Sequence, residues 1–262
     1  MKISNITRHL ESLAPLHYQE DYDNCGLLLG SPESDCSGVL ISLDTTEAVI
    51  EEAVERGCNL VVSHHPLIFR GIKRISEGTE GGRAIISALR NNIAVYAIHT
   101  NLDNVLPGVN SAIAHKLGLE NLRFLLPKEN AEDRAGSGLV GELPQAPGEE
   151  QFLQLLQQQF RIPLIRHTAL TGKPVRCVAL CGGAGSFLIT NAISAKADFF
   201  ITADIRYHEF FEAEGKLVMA DIGHYESEQY TTDLLFDAIL KKFPNFAVLK
   251  AGTPTNPVHY YK

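Results

Sequence analysis

The chain has 262 residues, of which 45% are hydrophobic, and it carries a formal net charge of −8 at pH 7. No apolar run approaches the roughly 20 residues that a membrane-spanning helix needs, and no basic cluster is longer than the pair Lys241-Lys242. We therefore expect neither a membrane span nor stable nucleic-acid binding, which depends on neutralising phosphates with basic side chains. A small-molecule substrate, including a nucleotide, is compatible with this charge.

The N-terminal segment and the cysteines bear on the compartment. The first residues lack the apolar stretch of a signal peptide, and Ile3, Ile6, Leu10 and Leu13 recur at the spacing of a helix. The five cysteines are odd in number, and none forms a Cys-x-x-Cys pair. Reduced thiols explain this pattern better than a disulfide framework does, so we expect a cytoplasmic protein.

Short apolar runs alternate with helical segments after this first helix, which is typical of a largely parallel α/β sheet. A glycine at position 57 is predicted to end one of these helices as its C-terminal cap. The predicted strands are residues 27–29, 39–44, 60–62 and 93–98. The predicted helices are residues 45–56, 83–92 and 107–117.

Residues 121–147 break this rhythm, and their polar and glycine-containing composition predicts a flexible junction between domains. The alternation resumes at residue 139. From there the predicted strands are residues 139–143, 164–167, 175–180, 198–202, 216–221 and 246–249, and the predicted helices are residues 149–160, 186–195, 205–213 and 224–242. We therefore predict an α/β fold of two interlinked lobes of similar plan, with mixed, mostly parallel sheets flanked by helices. The first lobe would comprise residues 1–127 and 215–262, and the second would comprise residues 128–214.

Two adjacent histidines, His64 and His65, follow the apolar run of residues 60–62 and precede Pro66. Pro66 favours an end to the strand because it has no N–H for the ladder. The carboxyl end of a strand in an α/β sheet is where such folds place ligands, and neutral imidazoles bind transition metals well. When the pair is considered alone, one loop-capping and one packed histidine explain it equally well.

A second predicted strand ends in His99, and Asp103 follows four residues later. If this strand lies beside the one that carries the histidine pair, Asp103 opens into the same crevice. Its carboxylate could then bridge two metal ions, and His99 could orient a ligand or transfer a proton. By itself, Asp103-Asn104 is more typical of a turn.

Residues 223–228 follow a predicted strand and begin a predicted helix, which places His224 and Glu228 four residues apart on one face. One imidazole and one carboxylate at this spacing can present a metal ion. A surface histidine and acidic residues at a helix N-terminus would give the same pattern. Together with the histidine pair and Asp103, these residues supply three imidazoles and two carboxylates, the ligand count of a two-metal hydrolytic centre.

Asp204 directly precedes the predicted helix of residues 205–213, and His208 lies on that helix four residues later. His208 could therefore act as a general acid/base or bind a metal transiently. An exposed helical histidine explains the pair as well.

A glycine-rich segment at residues 181–186 lies between a predicted strand and a predicted helix. Backbone amides in such a segment could bind a phosphate group, although the segment matches neither a Walker loop nor the dinucleotide fingerprint. A plain glycine turn is the alternative. The candidate phosphate-binding residues are Gly182, Gly183 and Gly185.

The order of these motifs resembles that of the Nif-three-like family, whose members are often described as GTP cyclohydrolase I type 2 homologues. The family usually has tryptophan before Asp-Asn where this chain has Tyr22, which we interpret as a packing change. The resemblance covers nearly the whole chain, and its motifs are residues 21–27, 63–66, 99–103, 181–186 and 223–228.

The resemblance implies a two-lobed protomer in a toroidal homohexamer, with a dinuclear metal site that faces the interior and without an inserted middle domain. It implies two divalent metal ions per protomer, and imidazole and carboxylate ligands suit zinc, manganese, iron or nickel. The implied ligands are His64, His65, Asp103, His224 and Glu228.

The leading functional hypothesis is a dinuclear metal-dependent hydrolase that opens a purine ring, as in a GTP cyclohydrolase. His99 and His208 are its candidate acid/base residues. A metal-dependent phosphoesterase would use the same metals on a phosphorus centre. A third hypothesis, of another class, is a non-catalytic, metal-binding interaction protein, in which the metals stabilise the protomer and the hexamer presents surfaces to partners.

Overall fold

Two mixed β-sheets flanked by helices organise the computed structural model, which describes residues 1–129 and 135–261. This arrangement confirms the predicted α/β fold class. Each sheet belongs to its own unit of the chain. The first unit comprises Met1–Leu102 and Thr231–His259, and the second comprises Asp103–Tyr230 together with the C-terminal residues from Tyr260.

The strands and helices of the described residues are labelled here in chain order. The strands are β1 (Gly26–Leu29), β2 (Val39–Ser42), β3 (Leu60–Ser63), β4 (Ala94–Ala97), β5 (Glu120–Pro127), β6 (Gly136–Glu142), β7 (Arg166–His167), β8 (Cys177–Ala184), β9 (Phe199–Ala203), β10 (Val218–Asp221) and β11 (Val248–Lys250). The helices are α1 (Ile3–Leu13), α2 (Glu47–Glu55), α3 (Glu80–Arg90), α4 (Thr100–Asp103), α5 (Val109–Lys116), α6 (Glu149–Phe160), α7 (Ile189–Ser194), α8 (His224–Glu228) and α9 (Thr231–Lys242). Short 3-10 turns are formed by Leu16–Tyr18, Ser186–Leu188 and Glu209–Ala213.

The sheet of the first unit has the strand order β1-β4-β3-β2-β11. Strands β4, β3, β2 and β11 are parallel, and β1 is antiparallel at one edge. The three inner strands are buried along their whole length, as their near-continuous apolar sequences indicate. Ser63 at the end of β3 is in register with Ser42 and with Ala97. The residues that follow these three positions therefore leave the sheet side by side.

The helices of the first unit cover this sheet and begin at identifiable caps. Thr46 accepts a hydrogen bond from the backbone N–H of Val49, and Thr79 accepts one from Gly82. The cap at Thr79 explains why α3 begins at Glu80, three residues before the predicted start of this helix at residue 83. On the inner face of α2, three apolar residues pack against the sheet: Val49, Ile50 and Ala53.

The sheet of the second unit has the strand order β5-β6-β8-β9-β10-β7. Strands β8, β9 and β10 are parallel, whereas β6 is antiparallel to both of its neighbours and β7 is antiparallel at the far edge. Residues 103–127 and 215–230 belong to this unit, although we predicted them in the first lobe. Strands β5 and β10 account for the difference, because each pairs with a strand of the second sheet.

The predicted flexible junction is wrong for β5 and β6, which pair as an antiparallel ladder. Gly136, Ser137 and Gly138 are buried in β6. A Cβ at Gly136 would lie 2.7 Å from the carbonyl oxygen of Leu126, so glycine allows the two strands to approach closely. Residues 130–134 of the predicted junction lie outside the described residues.

Two predicted helices are shorter in the structure. Of residues 205–213, only Glu209–Ala213 form a 3-10 turn, and the long helix predicted for residues 224–242 is divided into α8 and α9. At the break, the Gln229 side chain donates a hydrogen bond to the carbonyl of Phe160 (3.2 Å), and the Tyr230 hydroxyl donates one to that of Gln159 (3.1 Å). Contacts with α6 thus accompany an interruption that local helical spacing does not reveal. None of the helices formed by the described residues is both long and apolar enough to cross a membrane.

The C-terminal tail of the first unit is held by one carboxylate, that of Glu52 in α2. It accepts hydrogen bonds from the backbone N–H of Gly252 (2.8 Å) and of Thr253 (2.9 Å), from the Thr253 hydroxyl (2.7 Å) and from the Arg56 guanidinium (2.8 Å). Burial raises the pKa of this carboxyl, but the donors outweigh burial and lower it to about 2.

We expect Glu52→Gln to lower the free energy of unfolding by about 2 kcal/mol at pH 7, because the neutral amide accepts fewer and weaker hydrogen bonds. The carboxyl has its ordinary pKa of 4.5 in the unfolded chain, so its contribution is present above that pH and is lost as the pH falls toward 2. Urea unfolding at pH 7 and pH 3 measures this, with the exposed Glu55→Gln on the same helix as the control. An equal difference between wild type and Glu52→Gln at both pH values would contradict the expectation.

Candidate metal centre

Strand β3 delivers His64 and His65 to the carboxyl end of the first sheet. The backbone N–H of His64 donates to the carbonyl of Ser42 (3.3 Å), and that of His65 donates to the carbonyl of Leu43 (2.9 Å). Pairing with β2 therefore continues past the end of the regular strand and fixes the backbone of both residues. His64 is fully buried, and His65 is half-buried.

The hydrogen bonds of these two rings determine their tautomers. Nδ1 of His64 lies 2.9 Å from the carbonyl oxygen of Ile98, and Nδ1 of His65 lies 2.7 Å from Oδ1 of Asp44. Carbonyl and carboxylate oxygens only accept, so each Nδ1 carries a proton and, in the neutral ring, Nε2 carries the lone pair. This is the usual arrangement of a metal-binding histidine.

Asp44, the partner of His65, follows β2 and is itself held. Its second oxygen accepts a hydrogen bond from the Thr255 hydroxyl (2.7 Å). Burial raises the pKa of the Asp44 carboxyl, but the hydrogen bonds from His65 and Thr255 outweigh burial and bring it below its ordinary value. A carboxylate held in this way restrains the orientation of the His65 ring.

His99 follows β4 and is bonded to a buried carboxylate. Its Nδ1 donates to Oδ1 of Asp23 (2.9 Å), whose side chain is shielded from solvent. Asp23 also accepts hydrogen bonds from the backbone of Thr100 (3.0 Å), its hydroxyl, the backbone of Asn24 (2.7 Å) and the thiol of Cys25 (3.1 Å). Burial raises the pKa of Asp23, but His99 and these other donors hold it well below its usual range.

The three imidazoles of the first unit form a cluster, which we call the histidine cluster: His64, His65 and His99. The ring centroids are 5.0 Å apart for His64 and His65, 5.1 Å for His64 and His99, and 5.3 Å for His65 and His99. One ring nitrogen of each lies within 4.8 Å of the others. The histidine cluster could therefore hold a metal ion.

In the second unit, Gly223 (φ +87°) precedes α8, whose first residue is His224. Nδ1 of His224 lies 2.7 Å from Oδ2 of Asp204, and Nε2 lies 3.1 Å from Oε2 of Glu228. His224 and Glu228 thus share one face of the helix. With Nδ1 donating to Asp204, a proton or a cation between Nε2 and Glu228 would stabilise this contact.

Glu228 is almost completely buried, and one of its carboxylate oxygens lies within 4.8 Å of one of Asp103. Both carboxylates also act on the thiol of Cys181. Burial raises the pKa of this thiol, and the negative charges of Asp103 and Glu228 raise it further. Two carboxylates so close repel each other unless a cation or a shared proton balances them. This pair, together with His224, is the acidic cluster of the second unit.

Gly183 allows the buried carboxylate of Glu228 to lie against the backbone of β8. A Cβ at position 183 would lie 2.3 Å from Oε1 of Glu228 and 3.3 Å from Cε1 of His224. Gly183 also has φ +63°, at a shift in register between β8 and β9. Both observations explain why glycine occupies this position.

The glycine-rich segment is part of β8 through Ala184 and is not a loop between strand and helix. The amide N–H groups of Gly182, Gly183 and Gly185 donate to Asn110 (2.9 Å), Ser227 (2.9 Å) and Thr202 (2.8 Å), respectively. These amides are used within the protein, so this geometry does not support their predicted phosphate-binding role. His208 is exposed and precedes the 3-10 turn rather than pairing with Asp204 on a helix.

Sequence reasoning did not recognise that three carboxylates orient imidazoles: Asp23, Asp44 and Asp204. Asp44 offered a signal, because it follows β2 at the end of the sheet where β3 places the histidines. Asp23 lies in a motif segment but had no assigned role. Asp204 was predicted as a partner of His208, but its φ of +56° is not that of a right-handed helix, and its side chain bonds to His224 instead. The imidazole and carboxylate donors of the two clusters fit a divalent metal such as zinc, manganese, iron or nickel.

Comparison with known proteins places the chain among related sequences and structures. Residues 1–257 match the profile of the family described as Duf34/NIF3 (NGG1p interacting factor 3). A Clostridium acetobutylicum protein named GTP cyclohydrolase 1 type 2 homolog is 33% identical over 229 residues, which cover 87% of this chain and 85% of that protein. A Campylobacter jejuni protein of the same name is 30% identical over 267 residues, which cover 100% of this chain and 100% of that protein. The crystal structure of a Bacillus cereus protein related to NIF3 has the same fold, with a TM-score of 0.93, 23% identity and coverage of 100% of this chain and 99% of that chain.

Proposed function

Because the chain belongs to the Duf34/NIF3 family, we propose that it is a hydrolase that depends on two divalent metal ions. Membership confirms the resemblance that the order of the motifs indicates. The proposed ligands are His64, His65, Asp103, His224 and Glu228.

One observation carries this proposal: the Nδ1 atom of every proposed histidine ligand is bonded to an oxygen acceptor. The acceptors are the Ile98 carbonyl for His64, Asp44 for His65 and Asp204 for His224. In the neutral rings this leaves the lone pairs on Nε2, as metal binding requires. The carboxylates of Asp103 and Glu228, which lie close to each other, add the negative charge that a divalent cation needs.

The proposed reaction is the opening of a purine ring of a nucleotide such as GTP. A bound divalent metal would act as a Lewis acid and make water nucleophilic near neutral pH. Addition of water at C8 of the purine requires a proton to move to the departing ring nitrogen, the role predicted for His99 or His208. The relatives named GTP cyclohydrolase 1 type 2 homologs support this choice of substrate.

Metal content per protomer, measured by elemental analysis on protein purified without an affinity tag or chelator, tests the proposal. We expect a value near two, and a lower value in His65→Ala and in Glu228→Ala with the circular dichroism spectrum retained. The exposed His17→Ala is the control and should retain the full content. A value near zero that stays unchanged after soaking with zinc or manganese would contradict the metal mechanism.

Assays with GTP and with a phosphodiester on the metal-loaded protein then separate the candidate activities. Formation of the ring-opened purine supports the cyclohydrolase, and cleavage of the phosphodiester supports the phosphoesterase. Full metal content without turnover favours the non-catalytic, metal-binding interaction protein. We also propose a homohexamer, as the family resemblance implies, and light scattering of the eluting protein measures the number of protomers.

A further inference from the structure

We infer that His99 is a third imidazole ligand of the metal centre, beside His64 and His65, and that Asp23 is the positioning residue that holds it there. The inference rests on the proposed function, because it adds a ligand to the same centre. It changes the role of His99, since a ring nitrogen that binds a metal is not available to carry a proton.

The first argument is the position of the His99 ring. It is 8% exposed, and it meets both other rings of the histidine cluster edge-on, at interplanar angles of 78° and 76°. A ring nitrogen of His99 lies within 4.8 Å of a ring nitrogen of each of the other two. Three imidazoles that converge in this way are a known ligand set for zinc, with a further position open for water or substrate.

The second argument is the direction of its lone pair. Because Nδ1 of His99 donates to Asp23, the neutral ring carries its lone pair on Nε2, as in His64 and His65. All three members of the histidine cluster therefore have the same tautomer, each set by a different acceptor. Packing of the rings against one another would not by itself select the same tautomer in all three.

The third argument is that burying the carboxylate of Asp23 destabilises the fold unless hydrogen bonds compensate. A carboxylate shielded from solvent is destabilising unless it is well hydrogen-bonded, and Asp23 accepts from Asn24, Cys25 and Thr100 as well as from His99. The other donors restrain the carboxylate and therefore restrain the imidazole. A buried carboxylate bonded to Nδ1 is the arrangement that orients a metal-binding histidine and raises its basicity.

Cobalt(II) binding to the full-length protein tests the inference without an activity assay. We expect His99→Ala to weaken cobalt affinity about 10- to 100-fold and to change the visible absorption bands of the bound ion. In proton spectra of the cobalt-loaded protein, His99→Ala should also remove one hyperfine-shifted Nδ1–H signal. Asp23→Asn should weaken cobalt binding about 10-fold, because the amide can donate to Nδ1 and move the ring proton to Nε2.

Two further variants keep the test decisive. His99→Gln preserves much of the side-chain volume if His99→Ala fails to fold, and His17→Ala removes an exposed histidine of the same unit and should change none of the readouts. If His99→Ala or His99→Gln binds cobalt as tightly as wild type, with unchanged absorption bands, His99 is not a ligand. If His65→Ala loses cobalt while the His99 variants do not, the inference alone fails. If the wild-type protein binds neither cobalt nor zinc, the proposed function fails as well.

Discussion

Replacing Gly183 by alanine is expected to lower the affinity of the protein for divalent metal by at least about 100-fold. The added Cβ would lie 2.3 Å from Oε1 of Glu228, well inside van der Waals contact. Glu228 is almost completely buried, so its carboxylate has little room to retreat. It would have to rotate away from His224 or push β8 aside, and either movement disrupts the acidic cluster.

Backbone strain must be separated from this displacement, because Gly183 has φ +63° and alanine is disfavoured there. Gly215 provides a matched control in the same unit. Its φ is +67°, and nothing lies within 4 Å of the Cβ that an alanine would add. Gly215→Ala should therefore lower the free energy of unfolding by about 1 kcal/mol through backbone strain alone, because its added Cβ meets no other atom.

Calorimetric titration of chelator-treated protein with zinc, together with thermal unfolding, measures both effects. We expect Gly183→Ala and Gly215→Ala to lose similar stability from backbone strain in the metal-free state, with an added loss from the collision in Gly183→Ala. Only Gly183→Ala should lose zinc affinity. Similar zinc affinities in the two variants would show that Glu228 is not held in place by the close approach of Gly183.

Replacing Glu228 by glutamine is expected to have opposite effects in the metal-free and metal-loaded states. In the metal-free protein it removes one of two carboxylates whose oxygens lie within 4.8 Å, so it should raise the free energy of unfolding by about 1 kcal/mol. With excess zinc it should lower that free energy by about 2–3 kcal/mol relative to wild type, because a ligand that binds only the folded state stabilises it by this amount at 100 times its Kd.

Thermal unfolding with a chelator and with excess zinc measures the reversal. Glu212→Gln removes an exposed carboxylate of the same unit and should show no change of sign between the two conditions. A Glu228→Gln variant that is less stable than wild type in both conditions would indicate that the carboxylate stabilises the metal-free fold. In that case the proximity of Asp103 and Glu228 would not indicate a bound cation.

Most of the secondary structure was predictable because its signals are local. Leu60–Ser63 and Ala94–Ala97 are apolar runs that are buried as inner strands, and Thr46 caps the helix that was predicted to start at residue 45. The errors occurred where distant contacts outweigh local preference. Gly136 and Gly138 suggested a flexible junction, but in β6 they allow neighbouring backbone and side chains to approach closely.

Local sequence is enough to identify the side chains that could bind a metal and to relate neighbouring ones to each other. His64 and His65 are adjacent at the end of a buried strand, and His224 and Glu228 are one helical turn apart, so short-range geometry is enough to relate the members of each pair. The same reasoning could not find their supporting carboxylates. Asp23 is 76 residues from His99, and Asp44 is 21 residues from His65.

Long-range contacts, by contrast, set which nitrogen of each imidazole is bonded and which carries the lone pair. That choice depends on the oxygen that packing brings to Nδ1: a carbonyl at Ile98, and carboxylates at Asp23, Asp44 and Asp204. Tertiary structure also placed His99 beside His64 and His65, because parallel pairing of β3 and β4 aligns the ends of two strands that are distant in sequence. Spacing along one strand or one helix reveals neither the bonded nitrogen nor the position of His99. Both depend on contacts between distant segments, which form when the sheet is assembled.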